Sequence, residues 1–127
     1  MAFYRTGGGG ALSETTLWTN PDISQSFAPQ NVNLSDNINN YKFIGIKASH
    51  LTEADKQTFI MSVSDFKQMS NANNETMLGL SYKSGVGTLG TRGAYYVSDT
   101  QIGFTEAKTG TTTVNSAAKP YKIIGLK

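Results

Sequence analysis

The chain contains no cysteine and only one histidine, His50. Without thiols there is no disulfide framework and no thiolate metal site, and a lone imidazole argues against a histidine-based zinc site. No metal and no cofactor are expected. Charge is also scarce: 16% of residues are charged, against about 25% in an average globular protein. The formal net charge is +2, and the lysines form no basic stripe that could track phosphates, so no nucleic-acid partner is expected. No apolar run approaches the roughly 18 residues that would span a bilayer. The N-terminus lacks the apolar core, about 7 to 15 residues long, of a secretory signal. The expectation is a soluble protein made in a cytoplasm, with no membrane insertion.

In place of charge the chain carries Asn, Ser, Thr and Gly, a polar but nearly neutral surface. At 127 residues it suits one domain, which buries about two-thirds of its unfolded surface and needs no staples. Apolar and β-branched residues arrive in short runs between turn-formers such as Asn20-Pro21-Asp22, Ser35-Asp36-Asn37 and Ser98-Asp99-Thr100. That spacing predicts an all-β fold, an antiparallel β-sandwich of jelly-roll or Greek-key type with about eight strands. The expected strands are 15–19, 30–35, 41–48, 57–64, 76–83, 92–98, 101–107 and 121–126.

Successive side chains of a strand point to opposite faces, so alternation assigns the core. Phe59, Met61 and Val63 fall together, as do Leu78, Leu80 and Tyr82, Ile102 and Phe104, and Ile124 and Leu126. In the run from Tyr41 to Lys47, Tyr41 and Phe43 take one side while Ile44 and Ile46 take the other. A strand apolar on both sides is either central or meets another protein with its outer face. Helix signals are confined to single turns: Leu51 to Gln57, with Thr52 as cap, and Asp65 to Met69.

The first residues differ from the rest. An apolar start that includes Phe3, Tyr4 and then Arg5 is followed by Gly7, Gly8, Gly9 and Gly10. Glycine moves freely through backbone space, so this order reads as a short docking arm and a hinge over residues 1–12, ahead of a sandwich domain over residues 13–127.

Motifs of chemistry are weak. Gly85-Val86-Gly87-Thr88-Leu89-Gly90 has the spacing of a dinucleotide loop, but Thr91 to Val97 continues as a strand, so the helix that would face a pyrophosphate is missing. His50 lies near Glu53 and Asp55 without a nucleophile to serve, and reads as a hydrogen-bonded surface residue. Asp99 and Glu106 are the carboxylates that a glycan-cleaving enzyme would pair. Asn33-Leu34-Ser35 and Asn74-Glu75-Thr76 fit an N-glycosylation pattern but read as polar loops. No catalytic residue is assigned. The adjacent Tyr95 and Tyr96 must face opposite ways, so one of them is exposed or at an interface. With Trp18, Tyr41 and Phe43 they are the candidate ligand or interface aromatics.

Leu17-Trp18-Thr19-Asn20-Pro21, then Phe27-Ala28-Pro29-Gln30-Asn31-Val32-Asn33-Leu34, then Tyr41 to Lys47 form a succession that resembles a module of bacteriophage virion proteins. The resemblance covers residues 17 to 47 and is to distal domains of tail or head fibres and to short free-standing versions with a glycine-rich start. The chain lacks the coiled-coil or collagen-like shaft of a long fibre. The resemblance implies a non-enzymatic β-sandwich on the virion surface, made in the host bacterial cytoplasm. Such a protein decorates the capsid, as a head fibre does, or forms a small tail appendage. Its implied partners are other capsid or tail proteins and further copies of itself, a trimer being the habit of such proteins. The alternative it leaves open is a host-surface carbohydrate-binding module of the tail, with a glycan as ligand.

Overall fold

A computed structural model describes residues 12–50, 53–70, 79–83 and 89–127. The chain forms β1 (Glu14–Thr19), β2 (Gln30–Asn33), a 3-10 turn (Ile38–Asn40), β3 (Phe43–His50), β4 (Glu53–Ser62) and α1 (Val63–Phe66). It continues with β5 (Gly79–Lys83), β6 (Leu89–Ser98), β7 (Gln101–Thr109), the short β8 (Thr112–Thr113) and β9 (Lys119–Leu126). All pairings are antiparallel. One sheet has the order β1-β9-β3-β4 and the other β2-β7-β6-β5, with β8 added to β7. The second order is a three-strand meander with a sequence-distant strand beside its last member. The connection from β2 to β5 runs through β3 and β4 of the other sheet, so the chain crosses between the two layers of the sandwich.

The two sheets pack as a sandwich through one continuous core. Leu17, Ile44, Ile46, Ala48 and Ile123 from the first meet Val32, Ala94, Ile102 and Phe104 from the second. Ile38 and Phe66, each fully buried, join the same core from the two short helical turns. Alternation predicted Ile102 with Phe104 and the inward set Phe59 and Met61, and both hold. Val63 is buried too, but as the first residue of α1, because Ser62 caps that turn by accepting the Asp65 amide.

One expectation is corrected here and another holds. The segment read as a helical turn from residue 51 to Gln57 is strand from Glu53 onward, since β3 supplies a partner at Ala48↔Gln57 and His50↔Glu53. A hairpin ladder outweighs the helix propensity of Ala54 and Lys56. On β9 Ile124 and Leu126 fall together as expected and both are buried, paired with Gly45 and Phe43, while Ile123, paired with Ile46, joins the core cluster from the other side of the strand.

The Asn20 turn ties the end of β1 to its neighbour β9. Its amide donates to Tyr121 O at 2.8 Å, its side-chain Nδ2 donates to Pro120 O at 2.9 Å, and its Oδ1 accepts from the Asp22 amide. The asparagine is 8% exposed, so these bonds satisfy a side chain that burial would otherwise penalise. Leu17, Phe27, Val32, Leu34, Tyr41, Ile44 and Ile46 all belong to the single core cluster, with Trp18 packed against it.

Candidate interaction surface

The candidate aromatics separate sharply. Trp18 points inward, edge-on to Phe27 at 5.9 Å and tilted against Phe104 at 6.2 Å between centroids. The pairing of β1 with β9 shifts between Thr16 and Trp18, and this bulge lets both Leu17 and Trp18 join the core. Tyr41 precedes β3 and turns inward, its ring flat against Gly125 and its hydroxyl donating to Asp36 Oδ2 at 2.8 Å. The expectation that Tyr41 and Phe43 share a side is thus corrected: the bend at Lys42 breaks the alternation, and Phe43 alone takes the outer side. Tyr96 packs edge-on to Phe66 at 6.2 Å and donates to Asp99 Oδ1 at 2.7 Å.

Of the adjacent Tyr95 and Tyr96, Tyr95 is the one left on a surface. It lies on the outer face of the second sheet, half-buried, its ring flat across Gly103 on the neighbouring strand. Asn31 pairs with Gly103 from the other side and stands 3.5 Å from the Tyr95 hydroxyl. One step along, Gln101 donates to Asn33 Oδ1 at 2.7 Å, and Val97 is an exposed apolar neighbour on β6. The patch is therefore an aromatic ring bordered by uncharged amides. A ring face stacks on the apolar face of a sugar, and amides exchange hydrogen bonds with its hydroxyl rim. Sequence reading found Tyr95 but missed Gly103, whose lack of a side chain is what permits the ring to lie flat.

The carboxylates are committed elsewhere. Asp99, in the β6–β7 turn, accepts from Tyr96 and pairs with Lys67 at 3.4 Å. The Tyr96 bond, ahead of the Lys67 charge, lowers the Asp99 pKa. Asp36 is lowered first by Tyr41 and then by the Asn37 amide. Glu106 is held down chiefly by Lys108, at 3.0 Å, and by Thr113. From Gln101 to Glu106 β7 advances about 17 Å, and the two carboxylates that a glycosidase would pair have different partners. Both are stabilised as anions, whereas a general acid needs a raised pKa.

Sequence reading also missed two buried cations. Arg92 is 1% exposed and is held by carbonyls: Nε donates to Ala118 at 3.1 Å, Nη1 to Thr105 at 2.7 Å, and Nη2 to Asn115 at 3.0 Å and Ala117 at 3.4 Å. Its guanidinium also lies 5.3 Å from the Phe27 ring centroid. Burial lowers its pKa to about 10. Ala118 adopts a left-handed φ of 44° beside it. Lys119, equally buried, donates to Ile23 O, and burial lowers its pKa. The available signal was alternation: Arg92 shares its side of β6 with Ala94 and Tyr96.

Among the described residues, no three His, Cys, Asp or Glu side chains gather as a metal site, and no helix is long and apolar enough to cross a membrane. The arm residues Phe3, Tyr4, Arg5 and Gly7 to Gly10 lie outside the described residues, as do residues 71–78 and 84–88 and the side chains of His50, Glu53 and Asp55. Comparison with protein-family models, with curated proteins and with solved structures finds no match to this chain.

Proposed function

We propose that this protein is a non-enzymatic structural component of a bacteriophage virion, displayed on the particle surface and anchored through its N-terminal arm. The observation that carries the reading is the succession Leu17 to Lys47, which resembles a virion module in sequence and contributes residues to the core of the sandwich. A neutral, Asn- and Thr-rich sandwich without cysteine suits an exposed position on a particle. Repetition on a symmetric particle, in trimers or other homo-oligomers, makes weak single contacts effective. Capsid decoration, a head fibre and a small tail appendage all fit this role.

The test is incorporation. Virions assembled with a chain lacking residues 1–10 should lose the protein while the purified variant keeps its fold by circular dichroism. Normal incorporation of that variant would overturn the anchoring role. Cryo-electron microscopy of the complete particle then locates the density on capsid or tail, and absence from purified particles would overturn the reading itself.

A second reading has its own observation: the Tyr95 ring across Gly103, bordered by Asn31, Asn33 and Gln101. It makes the outer face of the second sheet a host-glycan platform. A glycan array probed with the intact protein should show saccharide binding that Tyr95→Ala removes, and a blank array would eliminate this reading.

A further inference from the structure

Three adjacent strands of the second sheet build the Tyr95 platform. Val32 of β2, Ile102 and Phe104 of β7 and Ala94 of β6 belong to the core, so Asn31, Asn33, Gln101 and Tyr95 point away from it. Register sets Asn31, Gly103 and Tyr95 in one row, with Asn33 opposite Gln101 two positions along. Because Gly103 has no side chain, the ring lies down over β7 and turns its free face outward. Asn31 and Asn33 stand about 7 Å apart along β2, so both are within reach of a single pyranose ring stacked there.

The amides around the ring have bonding capacity left over. A side-chain amide carries two N–H donors and an acceptor oxygen. The 2.7 Å bond from Gln101 Nε2 to Asn33 Oδ1 leaves the Asn33 nitrogen and the Gln101 oxygen as a donor beside an acceptor. Asn31 turns its Oδ1 toward the Tyr95 hydroxyl, 3.5 Å away, which leaves its nitrogen as a further donor. A hydroxyl both donates and accepts, so two neighbouring hydroxyls of a sugar close on such a couple. Thr105, two residues beyond Gly103, offers no such edge: its hydroxyl accepts from the Gly93 amide and donates to Glu106 O, each at 2.9 Å.

Charge is what this face lacks. β2 carries none, and the charge of β6 is Arg92, which is turned inward and 1% exposed. On β7, Glu106 and Lys108 pair with each other at 3.0 Å, starting about 10 Å along the strand from Gly103. In the β6–β7 turn, Asp99 pairs with Lys67 at 3.4 Å. Among the described residues, a carboxylate, sulfate or phosphate laid on the ring would therefore meet amides but no uncommitted cation. It would give up its water of hydration without a charged partner.

We propose that this platform takes an uncharged saccharide, with one pyranose ring stacked on Tyr95 and its hydroxyls on Asn31 and the Asn33–Gln101 pair, and rejects sugars that carry carboxylate, sulfate or phosphate. The proposal rests on the host-glycan reading of this face and adds its ligand class. Discrimination comes from the missing cation as much as from the amides that are present.

The test applies the intact protein, displayed on a multivalent carrier, to an array of neutral and acidic glycans. Neutral oligosaccharides of glucose, galactose and N-acetylglucosamine are printed beside sialylated, uronic and sulfated counterparts. The neutral members should bind several-fold better than the acidic ones, and their signal should hold from about 0.05 M to about 0.5 M salt, because no charge is screened. Signal confined to the acidic members, or neutral signal that falls several-fold with salt, would overturn the uncharged class while leaving a glycan platform in place. An array blank throughout would remove the platform itself, and the proposal with it. Asn33→Ala, with an unchanged circular dichroism spectrum, should weaken the neutral signal several-fold. Full signal in that variant would overturn the role given to the amide pair.

Discussion

Tyr95 lies so close across Gly103 that a Cβ on the glycine would fall 2.3 Å from two atoms of the ring. The ring is half-exposed, so Gly103→Ala should tilt it off the sheet at a stability cost of only about 1 kcal/mol. The thermal midpoint would move by a few degrees, while any saccharide binding at this face should fall as far as it does in Tyr95→Ala. A variant that binds saccharide normally would separate binding from the flat ring.

Tyr41 and Gly125 repeat the arrangement inside the protein, with the opposite consequence. A Cβ at residue 125 would lie 2.5 Å from the Tyr41 ring, which is 6% exposed and tethered through its hydroxyl to Asp36. The ring has no way out. Gly125→Ala should cost about 2–3 kcal/mol by overpacking, and Tyr41→Phe about 1 kcal/mol for the lost hydrogen bond. Adding Gly125→Ala to Tyr41→Ala should cost much less than Gly125→Ala alone, because the clashing ring is gone. Urea unfolding followed by Trp18 fluorescence measures all of these, and strict additivity would contradict the clash.

Arg92 organises the β8–β9 connection by binding carbonyls of Asn115, Ala117 and Ala118. Arg92→Met fills similar space but removes the guanidinium donor from Ala117, Ala118 and Thr105 O, while Asn115 O keeps the Phe27 amide. The expected loss is about 3 kcal/mol, since each buried unpaired group costs about 1 kcal/mol or more. Arg92→Lys should recover only part, because a single ammonium cannot reproduce the fork that contacts several acceptors. A full recovery by lysine would show that charge alone suffices.

Asp36 and Asp99 contribute to the response to acid, as Asp22 and Glu106 do. Both pKa values are lowered in the folded protein from the ordinary 3.8. The unfolded chain therefore binds protons first as pH falls, and the stability these groups contribute is present above about pH 4 and lost progressively below it. Asp99→Asn and Asp36→Asn should lower stability at neutral pH and flatten the loss below pH 4. Parallel stability curves for wild type and variants from pH 2 to pH 7 would show that these pairs do not contribute.

The sheet-forming pattern was legible along most of the chain, and turn residues located the ends of β1, β2, β6 and β7 to within a few positions. Alternation also required Tyr95 and Tyr96 to part company, as they do. The misreadings have a common cause. At Trp18 a bulge suspended alternation, at Tyr41 a bend preceded the strand, and at Glu53 to Gln57 the β3 partner imposed strand on residues with good helix propensity.

The sequence by itself determined the class of fold, because the alternation of apolar side chains and the placing of turn-formers are properties of the local backbone. Which of two neighbours faces the core depended on register and bulges, and these are set by the strand alongside. That is why only the tertiary structure brought Ile123 into the core cluster, turned Tyr41 inward, and left Tyr95 on a surface. The burial of Arg92 was likewise decided in three dimensions, since a guanidinium becomes tolerable inside a protein only where distant segments bring their carbonyls to it.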